Sequence, residues 1–500
     1  MTTQKKVSRR KFIKTSAFAG AGVAVFPYVS CNRIGVTSPL RRTFGRIGFE
    51  VTTLGLGGQA SIQWTPEDVD PIPIILKAFK LGINYFDTSN LYGPSQLNYN
   101  KAFKELNLIP GISGFDESLR KSIFLTTKTH LRFAKGGEEV EGINNWSNGG
   151  EGLKTIDDLK RSMTQIFGDG QENYPKGAYL DMVLIHSVSS KKDIESVYTG
   201  YENPDPKDEN IGALAALIDY RGGTNYTGLN PKEEKLIKHI GFSGHKSPAL
   251  MMEMIQRDTK DVLDGMLVAI NSNDKLNFNM QHNVILVAAA KNMGIIGMKV
   301  FADGAMYSKP AEWSWKPEHV VRSVGSPDLP SRPLIEYALT TPGIATNIIG
   351  IGQIDNLDES KCQLVQNMSA SQVMPDALTQ GDRESVEQMT AMVKNGETNY
   401  FQDPKQDLTP VREISIERKI EQGKSIKLIS WHSSYAGNYA IKKYELWRDN
   451  ELINSMDYQP QITTEPFVFK DNDADEGQNI YSIKTIDESG RSVKTEEITG

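Results

Sequence analysis

The feature that most constrains the fold is an alternation, repeated between Phe44 and about Tyr400, of short β-branched-rich apolar runs with helical patterns. The runs are Thr52–Leu56, Ile83–Asp87, Ile123–Thr127, Leu180–His186, Ile237–Ser243, Gly265–Asn271, Ile295–Phe301 and Ala345–Ile351. Apolar runs of this length suit strands covered on both faces, and strands separated by helices pair in parallel. Between two of them, Thr155–Phe167 sets Ile156, Leu159, Met163 and Ile166 at spacings of three and four. Thr155 followed by Asp157 and Asp158 suits the start of that helix. Eight such units predict an α/β fold, a closed (β/α)8 TIM barrel over residues 40–402, with a doubly wound open sheet as the runner-up.

A chain of 500 residues exceeds what one core usually serves, and the pattern does change. After Asp403-Pro404 the helical periodicity stops and only alternating strands remain, among them Ile426–Trp431, Ile441–Asn450, Phe467–Asp471 and Asn479–Asp487. Residues 410–500 are expected to form an all-β sandwich. They resemble a fibronectin type III domain, with Trp431 as the core tryptophan and Tyr481 opening a later strand. Sandwiches of that kind serve as spacers, packing partners and glycan-contacting modules alike.

The first 31 residues read as an address. Ser8-Arg9-Arg10-Lys11-Phe12 precedes an apolar stretch, Ala17–Ser30, shorter than the ~20 residues that span a bilayer. The paired arginines resemble the twin-arginine export signal, whose machinery moves folded proteins, so a periplasmic location is expected. Val29-Ser30-Cys31 resembles a lipobox, although Tyr28 stands where an aliphatic residue is usual. Cys31 is therefore either a lipid anchor or incidental to an ordinary signal, and only the anchor would bring the chain to a membrane.

Composition excludes several function classes. A net charge of −6 leaves no basic field for nucleic acid. Two cysteines, Cys31 and Cys362, are too few for a disulfide framework, a four-cysteine zinc site or an iron–sulfur cluster. The histidines and scattered carboxylates show no metal-ligand spacing, so no metal is expected. Redox chemistry would have to come from an organic cofactor.

Polar residues end three consecutive apolar runs: Asp87 after the second, Lys128 after the third and His186 after the fourth, with Tyr92 five residues beyond Asp87. In a parallel barrel those positions face the C-terminal mouth, where active sites are built. Each alone is more often a structural polar group; the set of four points to a catalytic site. The long loops at that face carry Trp146, Tyr198, Tyr201, Tyr307, Trp313 and Trp315, which are expected either to stack on a bulky substrate such as a sugar or to pin the loops. His130 is a further candidate for the pocket wall.

Here the sequence resembles the aldo-keto reductase family over most of Arg42–Thr398. The matching segments are Arg42–Gly58, Gly82–Gly93 with Asp87 and Tyr92, Phe124–Lys128, Asp181–His186, Ile240–His245 and Ile348–Glu359. The resemblance implies hydride transfer between a nicotinamide and a carbonyl or alcohol. Tyr92 would act as proton donor, its pKa lowered by Lys128, which Asp87 keeps charged; neutral His186 would polarise the substrate oxygen. It further implies nucleotide contacts from Gly58, Asp87, Ser243, Met298, Lys299, Gly350, Gly352 and Glu359. Ser243 would hold the nicotinamide carboxamide, and Lys299 would approach the pyrophosphate. Leu267 and Met298 depart from the residues usual at their positions. No arginine or lysine lies between Gly350 and Ser360 to grip a 2′-phosphate, so NADP and NAD both stand. Because periplasm holds no free nicotinamide pool, the cofactor is expected to travel tightly bound. The alternative is a non-catalytic periplasmic binding protein on the same barrel.

Overall fold

The computed structural model describes residues 40–500 except 66, 68, 140–153, 278, 315, 351–362, 399–406, 423 and 475–476. The N-terminal residues read as an export signal, with Cys31, and Trp146, Trp315, Gly352 and Glu359, therefore lie outside the described residues.

Eight parallel strands close into a barrel in sequence order: Leu54–Leu56, Tyr85–Asp87, Phe124–Thr129, Leu180–Ile185, Ile237–Gly244, Leu263–Ala269, Gly294–Met298 and Ile344–Ile349. Each expected run overlaps one of them, so the open sheet is overturned. The helix at Thr155–Phe167 forms as read, with Asp157 accepting the Lys154 N–H at 2.8 Å at its start.

Alternation along the strands fills the barrel lumen with Tyr85, Phe124, Met182, Leu184, Leu267, Ile296 and Met298. An N-terminal hairpin, Arg41–Thr43 paired with Glu50–Thr52, closes the floor by inserting Phe44 edge-on against Tyr85 and Phe124. Gly294 opens the seventh strand because a Cβ there would lie 2.6 Å from the Phe44 ring. With the floor plugged by aromatics, a cleft opens at the C-terminal mouth. The same inward alternation that places Tyr85 and Phe124 in the lumen carries Asp87 and Lys128, two and four residues on, to that mouth.

The C-terminal region is all-β, with one sheet of Arg412–Glu421, Lys424–His432 and Phe467–Asp471. The other contains Glu451–Asp457, Ile441–Arg448, Ile480–Asp487, Ser492–Lys494 and Ile498–Thr499. Trp431 is the largest side chain of their shared core, against Tyr444 and Phe467. This region docks on the barrel through Asn283, whose amide accepts the Ala436 N–H at 2.8 Å and donates to the Ala436 carbonyl at 3.1 Å. Leu286 packs into its core and Gln256 donates to the Gln461 carbonyl. No helix among the described residues is long and apolar enough to cross a membrane.

Candidate active site

The second barrel strand ends on Asp87 and the third carries Lys128 near its end; both are almost fully buried. The Lys128 ammonium donates to both Asp87 oxygens, at 2.7 and 2.6 Å, and to the Thr88 carbonyl at 2.9 Å. Burial raises the Asp87 pKa against the pull of Lys128, and burial lowers that of Lys128 against the pull of Asp87. Both shifts have one meaning: the site holds two charges that water would solvate better. Gly58 is required beside them, since a Cβ there would come within 2.2 Å of the Asp87 carbonyl oxygen.

Tyr92 lies on the loop after the second strand, with Lys128 Nζ 4.6 Å from its ring centroid. His186 follows the fourth strand, edge-to-face with Tyr92 at 5.9 Å and tilted against His130 at 5.5 Å. The four residues picked from the sequence thus converge at one rim.

One electrostatic expectation is corrected. Burial first, then the carboxylates of Asp87 and Asp303, push the Tyr92 phenol well above its ordinary value rather than below it. Lys128 makes no hydrogen bond that would offset this, since an ammonium has three N–H groups and Lys128 spends them on Asp87 and Thr88. Its charge therefore reaches Tyr92 through the ring face. The expectation for His186 holds: burial, then Lys128, His130, His245 and Arg132, depress its pKa well below the ordinary imidazole value, so the ring is neutral. Ser89 Oγ lies 3.4 Å from its Nδ1.

The cleft above this cluster is lined by Gly57, Gly58, Asp87, Tyr92, His186, His245, Leu267, Met298, Lys299, Gly350, Trp64 and Trp313, among others. Met298, Lys299, Gly58, Gly350 and Trp313 are thus where the sequence placed them. Ser243 is fully buried, and its hydroxyl accepts the Ser187 N–H at 2.9 Å, holding the turn after His186 while its own O–H remains a donor. Tyr307 is also corrected, because its ring packs on Phe301 and the surrounding core. Tyr198 and Tyr201 take the pinning role, their hydroxyls donating to the Met254 carbonyl and to Asp258.

Sequence reasoning missed Trp64 and Asp303. Asp303 opens an Asp-Gly turn after the seventh strand, a signal that could have marked it. Burial alone would raise its pKa, but Lys299, Lys309 and the Ser314 hydroxyl hold it below the ordinary carboxylate range. Lys299 pairs with Asp303 at 3.2 Å and lies 4.9 Å from the centroid of the Trp313 ring. Lys299, Ala302 and Asp303 all have positive φ, the strained backbone often stored at functional rims. Among the described residues no cluster of histidine, cysteine and carboxylates could hold a metal ion.

These features define a parallel-barrel oxidoreductase with a protonated phenol, an ion pair and a neutral imidazole at its C-terminal mouth. Comparison with known proteins agrees: the Aldo/keto reductase family profile matches residues 53–319, and the chain belongs to that family. No curated protein matches it. Among solved structures it is similar to a candidate aldo-keto reductase from Pseudomonas aeruginosa, at 21% identity over 67% of this chain and 96% of the other, with a TM-score of 0.40. An aldo-keto reductase of the silkworm Bombyx mori in complex with NADPH matches at 14% identity over 70% and 88%, with a TM-score of 0.42. An aldo/keto reductase from Klebsiella pneumoniae in complex with NADP and acetate matches at 13% over 73% and 98%, with a TM-score of 0.43.

Proposed function

We propose that this chain is an exported oxidoreductase that moves hydride between a nicotinamide dinucleotide and a carbonyl or alcohol, with a carbohydrate derivative as substrate. The observation that carries the reading is the buried Asp87–Lys128 pair beneath Tyr92, with neutral His186 beside the same phenol. A buried ion pair is costly, and its placement beside the cleft at the C-terminal mouth argues for chemistry rather than stability.

The cleft fits a dinucleotide. Gly57 and Gly350 line it where two segments meet closely, a Cβ on Gly57 coming within 3.3 Å of the Gly350 nitrogen and one on Gly350 within 2.6 Å of the Ala60 Cβ, so this wall presents backbone rather than side chains. Met298 and Leu267 offer an apolar wall for a flat ring, and Lys299 a cation for a pyrophosphate. NADP or NAD, when bound, supplies or accepts the hydride.

The chain's own residues manage the proton. Reduction leaves an alkoxide, and the Tyr92 O–H, held fully protonated by burial, donates to it. The Lys128 charge, 4.6 Å from the centroid of the Tyr92 ring, faces the phenolate that forms. A Ser89 hydroxyl directed at Nδ1 of His186 leaves its Nε2–H to donate to the substrate oxygen. Trp313, Trp64 and His245 supply flat and polar surfaces that suit a sugar ring.

Export rests on the twin-arginine-like start at Arg9-Arg10, and a membrane anchor on Cys31. The C-terminal sheets, with Trp431 in their core, support the fibronectin type III-like reading. A periplasmic enzyme would carry its nucleotide out tightly bound. Native mass spectrometry of protein from the periplasm tests this, with the dinucleotide expected to co-purify. Tyr92→Phe should abolish turnover and keep the nucleotide. A Tyr92→Phe protein that turns over normally would return the non-catalytic binding reading.

A further inference from the structure

Arg132 is fully buried in the loop after the third barrel strand, and the chemistry just described does not use it. Its Nε donates to Asp193 Oδ1 at 3.1 Å, its Nη1 to the His130 carbonyl at 3.2 Å and its Nη2 to the Ser187 carbonyl at 3.1 Å. Asp193 is itself fixed, since its other oxygen accepts the N–H groups of Ser189 and Ser190 at 2.7 and 3.1 Å. One guanidinium therefore spans the loops that follow the third and fourth strands, and its two carbonyl partners belong to His130 and to the residue after His186.

Ser187 needs such support. Its φ of 55° is left-handed, a conformation costly for a non-glycine residue. The turn is held by the His186 N–H to the Thr129 carbonyl at 2.9 Å, the Ser187 N–H to Ser243 Oγ at 2.9 Å, the Val188 N–H to the Ser243 carbonyl at 2.8 Å, and the Ser187 carbonyl, which accepts from Arg132 and from the Ser189 hydroxyl at 2.8 Å. We propose that Arg132, braced by Asp193 and assisted by Ser243, is the positioning residue that fixes the His186 imidazole against Tyr92 by clamping the third- and fourth-strand loops together. The inference rests on the reading of His186 as the group that polarises the substrate oxygen. Only a planar fork can make this clamp, because lysine keeps the charge but cannot reach two carbonyls and a carboxylate in one plane.

The groups around the His186 ring are Lys128, His130, His245 and Arg132, with Tyr92 and Ser89 in contact. The chain has seven histidines, so the full-length protein can be labelled with 15N-histidine and followed from about pH 8 to about pH 5, with His186→Asn assigning the signal. In the unaltered protein His186 should stay neutral, in one tautomer, throughout. In Arg132→Lys the ring should sample both tautomers and start to protonate in that window, its pKa moving toward the ordinary ~6.5. Ser243→Ala, a small change, should move it the same way by less. The clamp is overturned if folded Arg132→Lys leaves the His186 signals where they were; if that variant does not fold, unchanged signals in Ser243→Ala overturn it. Failure of the enzymatic reading shows separately, as normal turnover in Tyr92→Phe, and does not alter the histidine spectra.

Discussion

Removing one partner of the Asp87–Lys128 pair and removing both should have opposite consequences for stability. Lys128→Met leaves a carboxylate almost fully buried with its cation gone, and Asp87→Leu strands an ammonium that keeps only the Thr88 carbonyl. Breaking a buried pair from one side costs about 3–5 kcal/mol. At roughly 2 °C per kcal/mol for a large domain, each single variant should melt about 6–10 °C lower. The double variant buries no charge. The shifts at the pair give the sign: the raised Asp87 pKa means folding penalises its charged form above the ordinary carboxylate range, and the lowered Lys128 pKa means the same below the ordinary amine range. At neutral pH both penalties are in force. Asp87→Leu/Lys128→Met should therefore match the original stability within about 1 kcal/mol or exceed it by up to about 4, with turnover absent from all three variants. Scanning calorimetry on the four proteins closes the cycle. A double variant as unstable as the two singles summed would refute the claim that the pair is kept against stability.

Buried neutral histidines make acid the weak side of the fold. His245 and His282 are each pushed down to about 3, chiefly by burial, and His186 is also depressed, so the unfolded chain binds protons that the folded one refuses below about pH 6.5. Stability should be complete above that value and fall by roughly 1.4 kcal/mol per pH unit per histidine below it; His282→Gln should flatten the fall of the melting temperature between about pH 6 and 4. Gly58→Ala drives a Cβ to 2.2 Å from the Asp87 carbonyl oxygen and should cost turnover more than tenfold in a protein that still folds, read as kcat against circular dichroism. Asn283→Ala removes both bonds to Ala436 and leaves buried groups unpaired, so limited proteolysis should release the C-terminal region faster while steady-state kinetics change little.

The barrel was legible because its strands are apolar on both faces, a pattern few other architectures impose. Asp87, Lys128 and His186 stood out for the same reason: each interrupts apolar sequence at a strand end, where burial makes a polar residue expensive. What sequence could not supply was direction and partnership. Ser243 and His245 alternate along one strand and its end, yet one hydroxyl holds a backbone turn while the other ring reaches the cleft. The pKa of Tyr92 is raised by its burial and by the carboxylates of Asp87 and Asp303, which no spacing encodes. Asp303 lay in a loop whose path is set by contacts with Lys309 and Ser314, side chains six and eleven residues on.

Several of the costs the molecule carries meet at one cleft. The buried pair, the depressed imidazoles of His186 and His245, and the left-handed backbone of Ser187, Lys299, Ala302 and Asp303 all sit at the C-terminal mouth. The opposite end is closed by Phe44, Tyr85 and Phe124 in aromatic packing, and it too carries a buried pair, Arg120–Asp181, and left-handed backbone at Asp261 and Asn292. What is asymmetric is access: at the mouth Asp87, His186 and His245 line a cleft, whereas the Arg120–Asp181 pair at the other end is buried in packing. The asymmetry is expected where the rim must hold a proton donor, a neutral hydrogen-bond donor and a cation within reach of one reacting oxygen while the rest of the fold bears the expense.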